Sequence, residues 1–238
     1  MQESLFLLAT GLALSLVTHA AQAALIDRSN GMIYDDDLDI TWLADANYFK
    51  TQYDADNSIL NTLTGQTVAD SYGPHSTTTA DFNTSDGRMT WWGAQAWAAN
   101  LSYGGYDDWR LPTVTTSCLA LNCTSGSELG HLFYSELGGS AASSIVTNHD
   151  ADYALFSNIQ NYSYWSGSEY APNLDYAWFF GTDYGRQVAN GKGNQFYGWA
   201  VRSGDVAAPA SNNTVPEPGT LALLGLSAFG LRRAHRRG

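Results

Sequence analysis

The sequence predicts an α+β domain richer in strands and loops than in helices. Three observations lead there. Charged residues make up 14% of the 238-residue chain while Gly, Ser, Thr and Asn abound, a balance that suits strands and turns better than helices laced with ion pairs. Eight Trp, fourteen Tyr and nine Phe supply ring surface for a packed core, which a disordered chain lacks. The apolar pattern also changes along the chain, from alternating to helical and then to aromatic-rich runs parted by Gly and Asn.

The elements follow in order. Residues 5–17 are apolar and Ala21-Gln22-Ala23 fits the small-residue cleavage rule, so residues 1–23 are expected to be a secretory signal peptide, although no Lys or Arg precedes the apolar run. A domain is expected over 24–206. It opens with a turn at Ser29-Asn30-Gly31 between strands at 25–27 and 32–34, with a further strand at 40–43. Residues 50–88, rich in Asp, Asn, Thr, Ser and Gly, read as a long excursion. Thr90 can cap a helix that sets Trp91, Ala94, Ala98 and Leu101 on one face, and Gly104 and Gly105 are expected to end it. Ser127 can cap a second helix with a stripe of Leu129, Leu132, Phe133 and Leu137, closed by Gly138 or Gly139. Strands are expected at 162–166, 176–180 and 195–202. The small, polar residues 207–214 read as a flexible linker, and 215–238 form a separate tail.

Charge narrows the partners. The chain carries 11 basic and 23 acidic residues, and four of the basic ones are arginines in the tail. Without the two ends, seven basic residues face twenty-one acidic ones. Such a surface repels phosphate backbones, so nucleic acid is excluded as a partner, and cations, neutral glycans or basic proteins fit better. Acidity that merely keeps an exported protein soluble is the plain alternative.

Few residues group into reactive chemistry. In GGYDDWRLPT, residues 104–113, Trp109 and Leu111 are expected to point inward and Pro112 to forbid helix at Leu111. Arg110 between them is then partly buried and needs a carboxylate, Asp107 or Asp108, or backbone carbonyls. Cys118 and Cys123, the only cysteines, are five apart in an exported chain, which favours a local disulfide contributing about 2 kcal/mol. Asp35, Asp36 and Asp37 offer oxygens for calcium, but neighbours on a strand alternate faces and a solvated hairpin edge explains them as well. The run from Asp81 to Gly87 misplaces the glycine of a calcium loop and sets Trp92 where Glu is required. The five histidines show no metal-ligand or catalytic spacing, and no nucleophile elbow occurs.

The tail is tripartite. Val215-Pro216-Glu217-Pro218 holds the peptide extended, Gly219 opens thirteen uncharged residues, and Arg232, Arg233, Arg236 and Arg237 follow. Thirteen residues make a helix of about 20 Å against a hydrocarbon core of about 30 Å, a short span whose arginines stay cytoplasmic. This pattern resembles the PEP-CTERM sorting signal of Gram-negative bacteria that make exopolysaccharide. The resemblance implies a transient inner-membrane anchor, cleavage by an exosortase near the motif, and release to the cell surface or matrix. A permanent C-terminal anchor is the alternative.

A second resemblance covers the domain. Trp91 to Leu101, Gly105, Trp109-Arg110-Leu111-Pro112-Thr113, Glu128-Leu129, Tyr164-Trp165-Ser166, Ala177-Trp178 and Trp199-Ala200-Val201-Arg202 together resemble the Lcl C-terminal domain family. It implies a C-type-lectin-like fold, a looped antiparallel sheet with two helices and the chain ends brought together. In the adhesin that names the family, the domain binds sulfated polysaccharide, chemistry that the scarcity of Lys and Arg here argues against. Calcium-dependent lectins of that fold use Glu-Pro-Asn, and this chain has Ala171-Pro172-Asn173, so calcium-dependent sugar binding is not expected. Formylglycine-generating enzymes share the fold and an Arg-Leu-Pro-Thr stretch, but their cysteine pair lies near the C-terminal end rather than just after that stretch. The expectation is therefore a non-enzymatic, cofactor-free surface or matrix protein that binds polysaccharide or another surface protein. The alternatives are a formylglycine-forming oxidase and a structural matrix protein without a specific ligand.

Overall fold

The computed structural model describes residues 25–206, which fall in one compact unit. The expected signal peptide, linker and sorting tail lie outside the described residues. The N-terminal hairpin forms as the alternation requires: β1 (Leu25–Asp27) pairs antiparallel with β2 (Met32–Asp35), and β2 with β3 (Ile40–Leu43). Ser29, Asn30 and Gly31 turn the chain with φ of 66°, 55° and 77°, the left-handed region that Asn and Gly tolerate best.

Two helices and a hairpin occupy the stretch read as an excursion, the first helix starting two residues before it. They are α1 (Tyr48–Ala55), α2 (Ile59–Leu63) and the pair β4 (Thr67–Asp70) and β5 (Gly73–Ser76). Their apolar signal is sparse, since α1 buries only Phe49 and α2 only Leu63, so the polar faces dominate the composition. Then α3 (Trp91–Ala99) begins where expected, with the Thr90 hydroxyl accepting from Gly93 N at 3.2 Å. It ends at Asn100 rather than at the glycines: Asn100 Nδ2 bonds the Ala96 carbonyl at 2.8 Å and closes the last turn first. Gly104 and Gly105 instead make a tight turn between Tyr103 and Tyr106, whose N–H and C=O groups pair in both directions.

The second helix also starts at its cap, where Ser127 Oγ accepts from Gly130 N at 3.0 Å. It is α4 (Glu128–His131), which continues as one π turn over Leu132–Glu136. The stripe Leu129, Leu132, Phe133 and Leu137 is buried as expected. Gly130 is required for packing, because a Cβ there would stand 1.8 Å from the Cys123 carbonyl oxygen.

The last third supplies β6 (Ser163–Glu169), β7 (Tyr176–Gly181) and β8 (Arg186–Gly191), a three-stranded antiparallel sheet with a register shift in β6 between Trp165 and Glu169. The sequence does not announce β8, whose Arg-Gln-Val-Ala-Asn-Gly lacks alternation. The strand expected over 195–202 shrinks to β9 (Val201–Ser203). Phe196 bridges Met89, Tyr197 bridges Tyr164, and only from Val201 does the chain follow β3. The sheet order β1-β2-β3-β9 thus joins the two ends of the described chain, and Arg28 grips Asp205 at 2.6 Å.

Two buried clusters fill the interior. One gathers Trp91, Trp97, Trp109, Leu111 and Trp165, and the other Trp42, Trp199, Tyr164, Phe133 and Phe180. Seven of the eight tryptophans are buried and Trp92 is partly so, which makes them core rather than platforms for a ligand.

Candidate functional site

The motif residues singled out in the sequence are structural ties. Arg110 forks onto Glu128, Nη1 to Oε2 and Nη2 to Oε1, both at 2.8 Å, while its backbone N–H donates to the Val201 carbonyl at 2.8 Å. The carboxylate is therefore Glu128 and not Asp107 or Asp108, while the expected backbone carbonyl is present, since Arg110 Nη1 also donates to the Leu111 carbonyl at 3.1 Å. Asp108 instead takes Arg202, Nε to Oδ1 at 2.7 Å and Nη2 to Oδ2 at 2.9 Å, and the Arg202 guanidinium lies 4.0 Å over the Tyr106 ring. The reason is geometric. Glu128 at the start of α4 also accepts from Thr113 N at 2.6 Å, so one carboxylate serves both ends of the Arg110–Thr113 stretch. Trp109 and Leu111 point inward as expected, the Pro112 carbonyl accepts from Gly167 N at 2.7 Å, and Trp165 and Trp178 are buried. Gly105 sits at φ 88°.

Cys118 and Cys123 are joined in a disulfide with Cα atoms 5.8 Å apart. The staple rests against its neighbours: Gln187 Nε2 donates to the Cys118 carbonyl at 2.8 Å and Leu121 bridges Arg186. Beside it a hollow of about 310 Å³ runs between Thr116, Leu119, Tyr170, Pro172 and Trp178. The broken Ala171-Pro172-Asn173 signature lies at its rim and presents no carboxylate at its first position.

Of the Asp35-Asp36-Asp37 run, Asp35 and Asp37 approach one point, the His131 imidazole. Asp35 is fully buried at the end of β2, whereas Asp36 and Asp37 are exposed in the turn that follows the strand. Asp35 Oδ1 accepts from Leu38 N at 3.0 Å and Oδ2 from the Trp42 indole at 3.4 Å. It faces His131 and Glu136 from α4 and its π turn. His131 Nε2 stands 2.9 Å from Glu136 Oε1, 4.0 Å from Asp35 Oδ1 and 3.7 Å from Asp37 Oδ2. Burial pushes the Asp35 carboxyl up against the pull of the Leu38 N–H, and Glu136 raises the imidazole against the burial that lowers it. Sequence reasoning missed His131 and Glu136, which lie about a hundred residues from Asp35 and meet it only through the fold.

A second ionic cluster surrounds Lys192. Its ammonium, 1% exposed, donates to Asp70 at 2.9 Å and Glu169 at 2.5 Å, and sits 4.8 Å over the Trp91 ring. Asp70 also accepts from the Trp92 indole at 2.9 Å and from Tyr72 N at 2.8 Å, and Ser71 donates to Glu169 through both its N–H and its hydroxyl. Burial works against the Asp70 carboxylate, but these donors prevail and hold it down to about 2.

One groove combines an exposed aromatic ring with planar polar side chains. It is about 380 Å³ and is formed by Asp86, Arg88, Gln160, Asn161, Tyr162 and Tyr197. The Tyr162 ring, 42% exposed, is braced edge-on by Phe196 at 5.9 Å and Tyr197 at 6.3 Å. Its backbone is fixed by Thr182, whose N–H donates to the Tyr162 carbonyl at 2.9 Å. Arg88 pairs with Asp86 at 2.7 Å and lies 5.6 Å over the Tyr162 ring, so its charge is already matched. A braced flat ring beside planar carboxylate, guanidinium and amide groups can stack on a sugar face and bond its hydroxyls in pairs. The sequence contained the residues but no spacing that joins 86–88 to 160–162.

The Lcl C-terminal domain family matches residues 31–202, and the PEP-CTERM protein-sorting motif matches residues 214–237. No curated protein and no solved structure matches the chain. The sorting motif, with Val215 to Gly219 and the four terminal arginines, lies outside the described residues, as does the expected short membrane span. Among the described residues no helix is long and apolar enough to cross a membrane.

Proposed function

We propose, from a chain that belongs to the Lcl C-terminal domain family and ends in a PEP-CTERM sorting motif, an exported, exosortase-sorted surface or matrix protein that holds neutral polysaccharide without chemical turnover. The observation that carries the ligand is the braced Tyr162 ring in a groove lined by Asp86, Arg88, Gln160 and Asn161. Neutral sugars suit it because Arg88 is spent on Asp86 and the chain carries a net charge of −12, which opposes sulfated chains. A C-type-lectin-like arrangement agrees with the antiparallel sheets, the α3 and α4 helices and the pairing of β3 with β9 that joins the ends. The non-enzymatic reading draws support from the Cys118–Cys123 disulfide, which consumes the thiols that a formylglycine-forming oxidase would use. A glycan array probed with the full chain tests it. Retention of neutral hexose polymers over sulfated ones is the expected result, and retention of none, or of sulfated chains alone, overturns it.

A further inference from the structure

We propose that Asp35, His131 and Glu136 bind one divalent transition-metal ion of the zinc class. Three elements build the site: the end of β2, the last residue of α4 and the last residue of the π turn. The π turn is what makes it possible. Its i→i+5 bond, Leu137 N to the Leu132 carbonyl at 2.9 Å, widens the turn and carries Glu136 back beside His131, five residues earlier. A regular α-helix would rotate residue 136 well away from 131.

The contact between them is a charge pair that raises the imidazole, but it is not a well-directed hydrogen bond. His131 Nε2 and Glu136 Oε1 are 2.9 Å apart, yet both are buried with no hydrogen-bonding partner, because the ring N–H direction does not aim at the carboxylate. Glu136 is 4% exposed, so this oxygen has no solvent to turn to. Two such atoms side by side, both buried and without a well-directed partner, are arranged as ligands of a third atom rather than as donor and acceptor. The ligating atoms of Asp35, His131 and Glu136 all lie within 4.8 Å of one another. Ligands bonded about 2 Å from a shared tetrahedral ion stand about 3.3 Å apart, a value that the 2.9 Å and 4.0 Å separations from His131 Nε2 bracket.

Charge and donor type select the ion. Two buried carboxylates, with exposed Asp37 3.7 Å from the imidazole at the mouth, carry more negative charge than one histidine can balance, and a divalent cation supplies what is missing. One imidazole nitrogen with two or three carboxylate oxygens suits zinc, or manganese as the harder relative, and is too nitrogen-rich and too small in number for calcium. The site is separate from the Tyr162 groove and does not depend on the saccharide reading.

The test uses the full chain, stripped with chelator and titrated with zinc, manganese and calcium chlorides by calorimetry. One equivalent of zinc is expected, with calcium bound at least tenfold more weakly, and Glu136→Gln is expected to weaken zinc at least about tenfold. In case that variant fails to fold, cobalt(II) added to the unaltered protein must give its largest paramagnetic shift at the His131 ring among all histidines. Absence of a zinc equivalent, unchanged zinc affinity in Glu136→Gln, or a largest cobalt shift at another histidine overturns the assignment.

Discussion

Two buried ionic clusters lie in this domain, and they differ in whether their polar atoms are used up. Around Lys192 every charge has a partner: the ammonium meets Asp70 and Glu169, and those carboxylates take further bonds from Trp92, Tyr72 and Ser71. Around His131 the atoms come comparably close, yet His131 Nε2 and Glu136 Oε1 make no well-directed hydrogen bond. Proximity of charges is therefore not the criterion. A satisfied network ties β4, β6 and the end of β8 together and leaves none of its charges without a partner, whereas an unsatisfied one marks a place where something else belongs.

The largest effect that can break this contrast comes from Lys192→Met. It leaves two carboxylates without their cation, and a loss of about 3 kcal/mol is expected in denaturant unfolding. A loss below about 1 kcal/mol would show that the network is not a structural tie. Acid provides the next test. Asp70 is held below its ordinary 3.8, at about 2, so the unfolded chain takes up its proton first as pH falls. The stability from Asp70 is full above about pH 4 and drains as pH drops toward 2, which thermal melts across that window will register, and Lys192→Met should flatten this dependence. The smallest effect is expected from Glu136→Gln measured in chelator. With no well-directed hydrogen bond to lose, and with the removal of one buried charge offsetting the lost pairing with the imidazole, stability should change by less than about 0.5 kcal/mol or rise. A loss comparable to that of Lys192→Met would mean that the two clusters are alike after all.

The residues that pack were legible in the sequence, and those that gather from afar were not. Thr90 and Ser127 as caps, the Ser29-Asn30-Gly31 turn, the inward Trp109 and Leu111 and the Cys118–Cys123 staple are all local in origin. Such features depend on neighbours within a few positions, which is what periodicity and turn chemistry report. Helices α1 and α2 escaped because each buries one apolar residue. Arg110 illustrates the limit at a functional-looking motif. The nearest acids in sequence were Asp107 and Asp108, but the fold brings Glu128, eighteen residues on, into a forked pairing that neither neighbour can reach in the same register. Both candidate sites share this cause. The groove joins 86–88 to 160–162 and 197, and the metal cluster joins 35 to 131 and 136, pairings fixed only when β6 meets Tyr197 and α4 meets β2.

The claim that the domain grips neutral polysaccharide through a braced ring is tested most directly by one binding isotherm. A soluble neutral hexose polymer retained on the array would be titrated into the full chain and into Tyr162→Ala. Since Tyr162 is 42% exposed, its removal should leave the melting temperature nearly unchanged while affinity falls at least tenfold, the loss of about 1.4 kcal/mol expected when a stacking ring is removed. Equal affinity in the two proteins would contradict the account.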